Sequence, residues 1–119
     1  MNGEGYCRFR KVFAEAMDSR LYTIEHLDSL VWSGRARCWT SSRAAIVARL
    51  EVYPTGAVVI EGVIAAGELD AIRALIVEAE QWGRAHGAIA ARIDSRAGWA
   101  RALKNDGYAP FQTALMKEL

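Results

Sequence analysis

The sequence is poor in the residues that build metal centres, disulfide frameworks and nucleophilic sites. Among its 119 residues there are only two cysteines, Cys7 and Cys38, and two histidines, His26 and His86. No CxxC pair occurs and no histidine stands near a cysteine, so no zinc site is expected and the thiols read as free cysteines of a reducing compartment. Neither histidine lies in a motif that would partner a nucleophilic cysteine. No apolar run approaches the roughly 18 residues of a membrane span. The opening Met-Asn-Gly-Glu-Gly lacks an apolar core of signal-peptide length. A soluble protein, intracellular where it is made, is the expectation. Charge of one sign is missing too: 15 Lys plus Arg face 14 Asp plus Glu, a net charge of +1. That gives no case for general nucleic-acid binding, which needs a concentrated basic surface. Two local clusters, Arg8, Arg10 and Lys11, then Arg35 and Arg37, read as solvated faces.

What is present is the material of one ordinary domain. Hydrophobic residues make up 52% and charged residues 24%, enough apolar surface for one core at this length. Phe9, Val12, Phe13, Ala16 and Met17 recur at helical spacing and predict an amphipathic helix over residues 8–20. Thr23 is a helix N-cap, with Glu25 in the first turn, for a short helix carrying Ile24, Leu27, Leu30 and Val31 and stopped at Gly34. Residues 37–40 form a short strand. From Ala45 to Tyr53 the period becomes two, with one face half wet. Pro54-Thr55-Gly56 is a turn, and Ala57 to Ala65 is apolar on both faces apart from Glu61, as a central strand would be. These two strands predict an antiparallel hairpin.

A long helix follows from Leu69 to His86, ended by Gly87, with an apolar stripe of Leu69, Ile72, Leu75, Ile76, Ala79 and Trp82. Ile89 to Ile93 is a strand, and the helical crossover predicts a right-handed βαβ unit with a parallel pair. Gly98 to Asn105 is a short helix and Phe111 to Met116 alternates as a final strand.

In this order of elements, and in several short segments, the chain resembles the GNAT acetyltransferase fold. The segments are Tyr53-Pro54, Gly67 to Asp70 at the helix start, Trp82 to Gly87 at its end, Arg96 to Arg101, and Lys117 to Leu119. Over residues 45–119 the resemblance is closest to small GNAT-like proteins of bacteriophages and prophages. It implies an α+β fold, a single GNAT-like domain over residues 1–119, with a central mixed β-sheet and helices on both faces. GNAT enzymes bind the pyrophosphate of acyl-CoA on a glycine-rich loop whose amides, with the following helix N-terminus, supply partial positive charge. Counted back from Gly87, that loop falls on Gly67 to Ile72, with Gly67, Leu69 and Ala71 as its degenerate cofactor-binding positions. Glu68 and Asp70 bring negative charge to it and are better read as complements of the helix dipole. The position of the family's acidic tyrosine holds Leu103, which cannot transfer a proton. Tyr108 reads as core.

Glu61 occupies a place where a family general base can occur, and is the candidate catalytic residue. Its alternative is a structural carboxylate paired with Arg49 or Arg92. Trp32 and Trp39 flank the Gly34 turn as a candidate exposed aromatic patch, and Trp99 opens the short helix. All three are candidate interaction residues, since aromatics are enriched at protein interfaces. The first reading is a catalytically silent GNAT-like phage or prophage protein of the host cytoplasm or the virion, with no cofactor, that acts through a protein partner or self-association. The second is an acetyl-CoA-dependent N-acyltransferase with an atypical loop. The third is a nucleic-acid-associated factor using the N-terminal basic cluster.

Overall fold

The computed structural model describes residues 3–95 and 98–119; Arg96 and Ala97, part of the Arg96–Arg101 segment, and the opening Met1-Asn2 lie outside the described residues. Four strands form one sheet in the order β1-β2-β3-β4, with β1 Arg37–Thr40, β2 Ala44–Val52, β3 Val58–Gly67 and β4 Ala88–Ile93. The first two pairings are antiparallel and β3–β4 is parallel. The expected hairpin and βαβ unit are therefore both present. The turn between β2 and β3 closes through Gly56 N–H to the Tyr53 carbonyl at 2.8 Å and Tyr53 N–H to the Ala57 carbonyl at 2.8 Å.

Helices cover both faces. On one, α1 (Gly3–Ala16) and α2 (Ile24–Trp32) pack Tyr6, Phe13, Leu27, Leu30 and Val31 against Cys38, Ala45 and Val47. On the other, α3 (Leu69–Ala85) packs Ala71, Ile72, Leu75 and Ala79 against Ala44, Ile46, Ala48 and Ile60. The first half of β2 is thus buried on both faces rather than half wet. Gly83 lets α3 lie close to β3: a Cβ there would meet Ile60 side-chain atoms at 3.1 Å. Thr23 caps α2 as expected, its Oγ1 accepting from the His26 amide at 3.2 Å.

Several expectations change. Helix α1 starts earlier and ends earlier than the pattern predicts, so its buried face rotates: Tyr6 is fully buried while Val12 is exposed. The Tyr6 hydroxyl donates to Asp28 at 2.6 Å, and Arg10 grips the same carboxylate through Nε and Nη2 at 2.9 and 2.7 Å. This makes Arg10 a tie between α1 and α2 rather than part of a free basic cluster. Leu69 is exposed, and Ala71 takes its place on the buried stripe of α3. Residues 108–119 form no strand. Alternation describes a two-faced strand but supplies no neighbour, and this segment is tethered by side chains instead, Arg92 to Gln112 at 3.1 Å and Arg20 to Glu118 at 2.6 Å. The short helix is split into α4 (Gly98–Ala102) and a 3-10 turn (Lys104–Asp106).

Because Leu75 is buried between α3 and the sheet, Leu75→Ala is expected to lower unfolding stability by roughly 2–5 kcal/mol through the cavity it opens. Urea denaturation with an unchanged m-value measures this.

Candidate functional site

Strand β3 pairs with β2 from Val58 to Gly67 but with β4 only from Val58 to Gly62. Beyond Gly62 and Ile93 the parallel strands part and leave a cleft of about 360 Å³. Its walls are the β3 segment Gly62–Ala65, the chain leaving β4 at Ile93–Ser95, and Ile72, Ile76, Ala79 and Glu80 of α3. Trp99 and Tyr108 close one side. Arg73 holds that side in place, donating through Nε and Nη2 to the Asp106 carboxylate at 2.8 and 2.7 Å. The Tyr108 hydroxyl donates a short hydrogen bond to Glu80, and burial together with that carboxylate raises the phenol's pKa. The cleft is mostly apolar, with the Tyr108 phenol and the Glu80 carboxylate hydrogen-bonded on its wall and Arg92 and Asp94 also lining it.

Tyr108 reads as core from the sequence, and Glu80 carries no signal of a site there. Both line the cleft. Glu80 stands four residues after Ile76, at the margin of the apolar stripe rather than opposite it. Glu61 is not among the cleft-lining residues. It faces Arg49 across β2 and Arg92 across β4. Its carboxylate accepts a short hydrogen bond from Tyr53, with Arg49 Nη2 at 3.9 Å. Arg92 Nη1 in turn donates to the Tyr53 hydroxyl at 3.4 Å. The Glu61 carboxylate is therefore held by a phenol and lies beside a guanidinium.

The strand-to-helix junction differs from a phosphate-binding loop. Only Glu68 separates the last residue of β3 from the first of α3. Gly67 has φ +118°, and a Cβ there would fall 2.3 Å from the Arg43 carbonyl oxygen. Its missing side chain serves close packing of β3 on β2. The Glu68 amide donates to the Arg43 carbonyl at 3.1 Å and the Ile72 amide to the Glu68 carbonyl at 2.9 Å. Arg43 reaches over the helix start, Nη1 donating to Glu68 Oε2 at 2.7 Å and Nη2 lying 3.0 Å from Asp70 Oδ2. Arg43, and then amides of the first turn, hold the Asp70 carboxyl below its usual range. One guanidinium between two carboxylates leaves this end of α3 with a net charge of −1. These residues do not fit a pyrophosphate, which needs free amides and positive potential. Gly67, Leu69 and Ala71 do not make a cradle together: Gly67 abuts β2, Leu69 is exposed and Ala71 is buried.

The tryptophans are dispersed. Trp32 lies edge-on to Tyr6 at 6.0 Å on the α1 side, whereas Trp39 packs edge-on against Trp82 at 5.4 Å on the α3 side. The Trp32–Trp39 patch does not form, because β1 separates the two faces of the sheet between them. Burial pushes the Cys38 thiol up to about 11, so it is protonated at neutral pH. Cys7 is exposed. Among the described residues no helix is long and apolar enough to cross a membrane.

No protein-family profile matches the chain, and no curated protein matches its sequence. Solved structures do. A probable acetyltransferase superposes with a TM-score of 0.72 at 9% identity, covering 98% of this chain and 92% of the other. An acetyltransferase of Trypanosoma brucei gives 0.71 at 8% identity, covering 98% and 94%. A ribosomal-protein-alanine N-acetyltransferase of Brucella melitensis biovar Abortus gives 0.63 at 10% identity, again covering 98% and 94%. The chain has the GNAT acetyltransferase fold, an α+β domain with a mixed sheet.

Two measurements test this geometry. Asp70 is depressed in the folded state, so its contribution to stability is present above the unfolded value of 3.8 and is lost as pH falls through the lower folded value. Arg43→Gln is therefore expected to flatten the acid limb of the stability–pH curve below about pH 4 and leave its neutral-to-alkaline shape unchanged. Glu61→Gln keeps an acceptor for Tyr53 but loses the charge. A stability loss of about 1 kcal/mol is expected, read by urea denaturation at pH 7.

Proposed function

We propose that this protein is a GNAT-fold domain that transfers no acyl group and acts through contacts with other proteins or with copies of itself, in the setting of phage or prophage assembly. The observation that carries this reading is the closed start of α3. There Arg43 is shared by Glu68 and Asp70 and the Glu68 amide is taken by the Arg43 carbonyl. A carboxylate a few ångströms from a phosphate costs roughly 1–4 kcal/mol at surface-like dielectric, and two of them flank this helix start. A role in contacts is supported by the C-terminal segment, which exposes Phe111, Leu115 and Met116 together. Apolar side chains gathered at a surface mark interaction sites. The phage setting rests on the sequence resemblance over residues 45–119, and places the protein in the host cytoplasm or the virion.

A second reading, an acetyl-CoA-dependent N-acyltransferase, is favoured by the cleft itself. A space of about 360 Å³ between parted strands, with the Tyr108–Glu80 pair on its wall, is suited to an acyl chain and a proton donor. In that reading Tyr108 is better placed as the acid than Glu61 is as the base.

Thermal-shift titration with acetyl-CoA and free CoA separates the two. Ligand at a hundred times its dissociation constant stabilises the native state by about 2.7 kcal/mol, a shift of several degrees for a domain of this size. No shift is expected at millimolar cofactor. A saturable shift with acetyl-CoA, accompanied by acyl transfer to an amine, would put the acyltransferase first.

A further inference from the structure

A second cavity, of about 590 Å³, lies at the opposite end of α3 from Arg43. It opens where β1 begins at Arg37 while β2 runs on to Val52, so the Gly34–Arg37 segment and the Ala48–Glu51 stretch of β2 face each other. Trp82, four turns along α3, forms its floor. At 1.5 Å per residue Trp82 lies about 20 Å from Leu69 along the helix axis. The cavity is separate from both the cleft and the helix start.

Its charge is one-sided. Arg35, Arg37 and Arg49 line it with Glu51; Arg49 lies between two acids, Glu51 and Glu61, which leaves Arg35 and Arg37 as a local +2. The state of these arginines is unlike that of four others. Arg10, Arg20, Arg43 and Arg73 each hold a carboxylate at 2.6–3.0 Å. Among the described residues, Arg35 contacts only the Ser33 hydroxyl, at 3.0 Å, and Arg37 meets no carboxylate. Arg37 instead lies over the rings of Trp39 and Trp82, at 5.6 and 5.4 Å. That contact holds a guanidinium in one place and leaves its N–H edges unspent. Arg49 is held loosely, with Glu51 at 3.8 Å and Glu61 at 3.9 Å, and its buried Nε has no hydrogen-bond partner.

We propose that this cavity binds a phosphorylated small molecule, its phosphate received by Arg35 and Arg37 and its organic part resting against Leu50 and Trp82. Guanidinium forks match the oxygens of a phosphate better than a point charge does, and a dianion offsets the local +2. A cavity of this size is within the range of small-molecule sites.

The full-length chain is titrated with inorganic phosphate, adenosine monophosphate and a short single-stranded oligonucleotide, at low salt. Binding is followed by tryptophan fluorescence and by amide chemical shifts. Saturable shifts confined to Gly34–Arg37 and Ala48–Glu51 are expected with the monophosphate, at least about tenfold weaker for phosphate alone. Arg37→Gln, at a residue without an ion pair to lose, is expected to weaken monophosphate binding about tenfold. Arg84→Gln, outside the cavity, is expected to leave it unchanged. An oligonucleotide that binds these same residues more tightly assigns the phosphate to a polynucleotide and supports the same site. No saturable change at these amides up to about 10 mM monophosphate, a concentration that fills any site of millimolar affinity, overturns the proposal. So does undiminished binding by Arg37→Gln.

Discussion

The structure turns on the unequal support of β3. On one side β2 follows it for its whole length, to the Ala44–Gly67 pair, while on the other β4 leaves it after Gly62. A strand bonded on one side only keeps its direction if something packs on its faces. Here α3 covers one face through Ile72, Leu75 and Ala79, and the α1–α2 pair the other, with Ile64 packed beneath. Freed from the ladder, the chain beyond Ile93 turns away, and Trp99 and Tyr108 stand across the gap from β3. The cleft is therefore a consequence of sheet pairing, not of any loop built to enclose a ligand.

Helix α3 joins two regions of opposite electrostatic character. Its dipole places partial positive charge at Leu69 and partial negative charge near Ala85. Asp70 in the first turn and Arg84 in the last complement both ends. At the start the complement is more than sufficient, and Arg43 restores part of the balance from the β1–β2 turn. Each of these ion pairs is exposed, and an exposed pair contributes well under what its distance suggests. The effect on an incoming anion comes from occupied amides and net sign rather than from the strength of any one pair. At the far end, Arg37 is held by aromatic rings and not by acids, which leaves the charge available to an external partner.

Periodicity sufficed for the elements that bury a continuous stripe. The parallel pair, the hairpin, α2 with its Thr23 cap and the position of Leu75 all followed from it, because apolar spacing and burial are the same constraint seen twice. It failed where a partner had to be supplied. Phe111 to Met116 has the alternation of a strand, but nothing in the pattern states whether an edge waits for it. Residues joined across long separations were also hidden: Arg43 with Glu68, Arg73 with Asp106, and Tyr108 with Glu80 are 25, 33 and 28 positions apart. The acids at Glu68 and Asp70 were visible in the sequence, and the arginine that binds them was not. Arg35 and Arg37 are exposed, as a solvated pair would be, and what the pattern did not give is that they share a cavity with β2 and Trp82.

The two cores explain how the fold persists with an altered helix start. Neither apolar cluster draws on Glu68, Leu69 or Asp70. The one residue of that junction with a strict steric demand is Gly67, and its demand comes from Arg43 and Ala44 of the neighbouring strand. A glycine-rich loop contributes to a cofactor's binding, not to the burial that stabilises this sheet. The direct strand-to-helix junction is fixed to β2 at Gly67 and takes no part in either core. Fold and chemistry are separable here because different residues carry them. The residues that hold the helices on the sheet are therefore not those of the helix start.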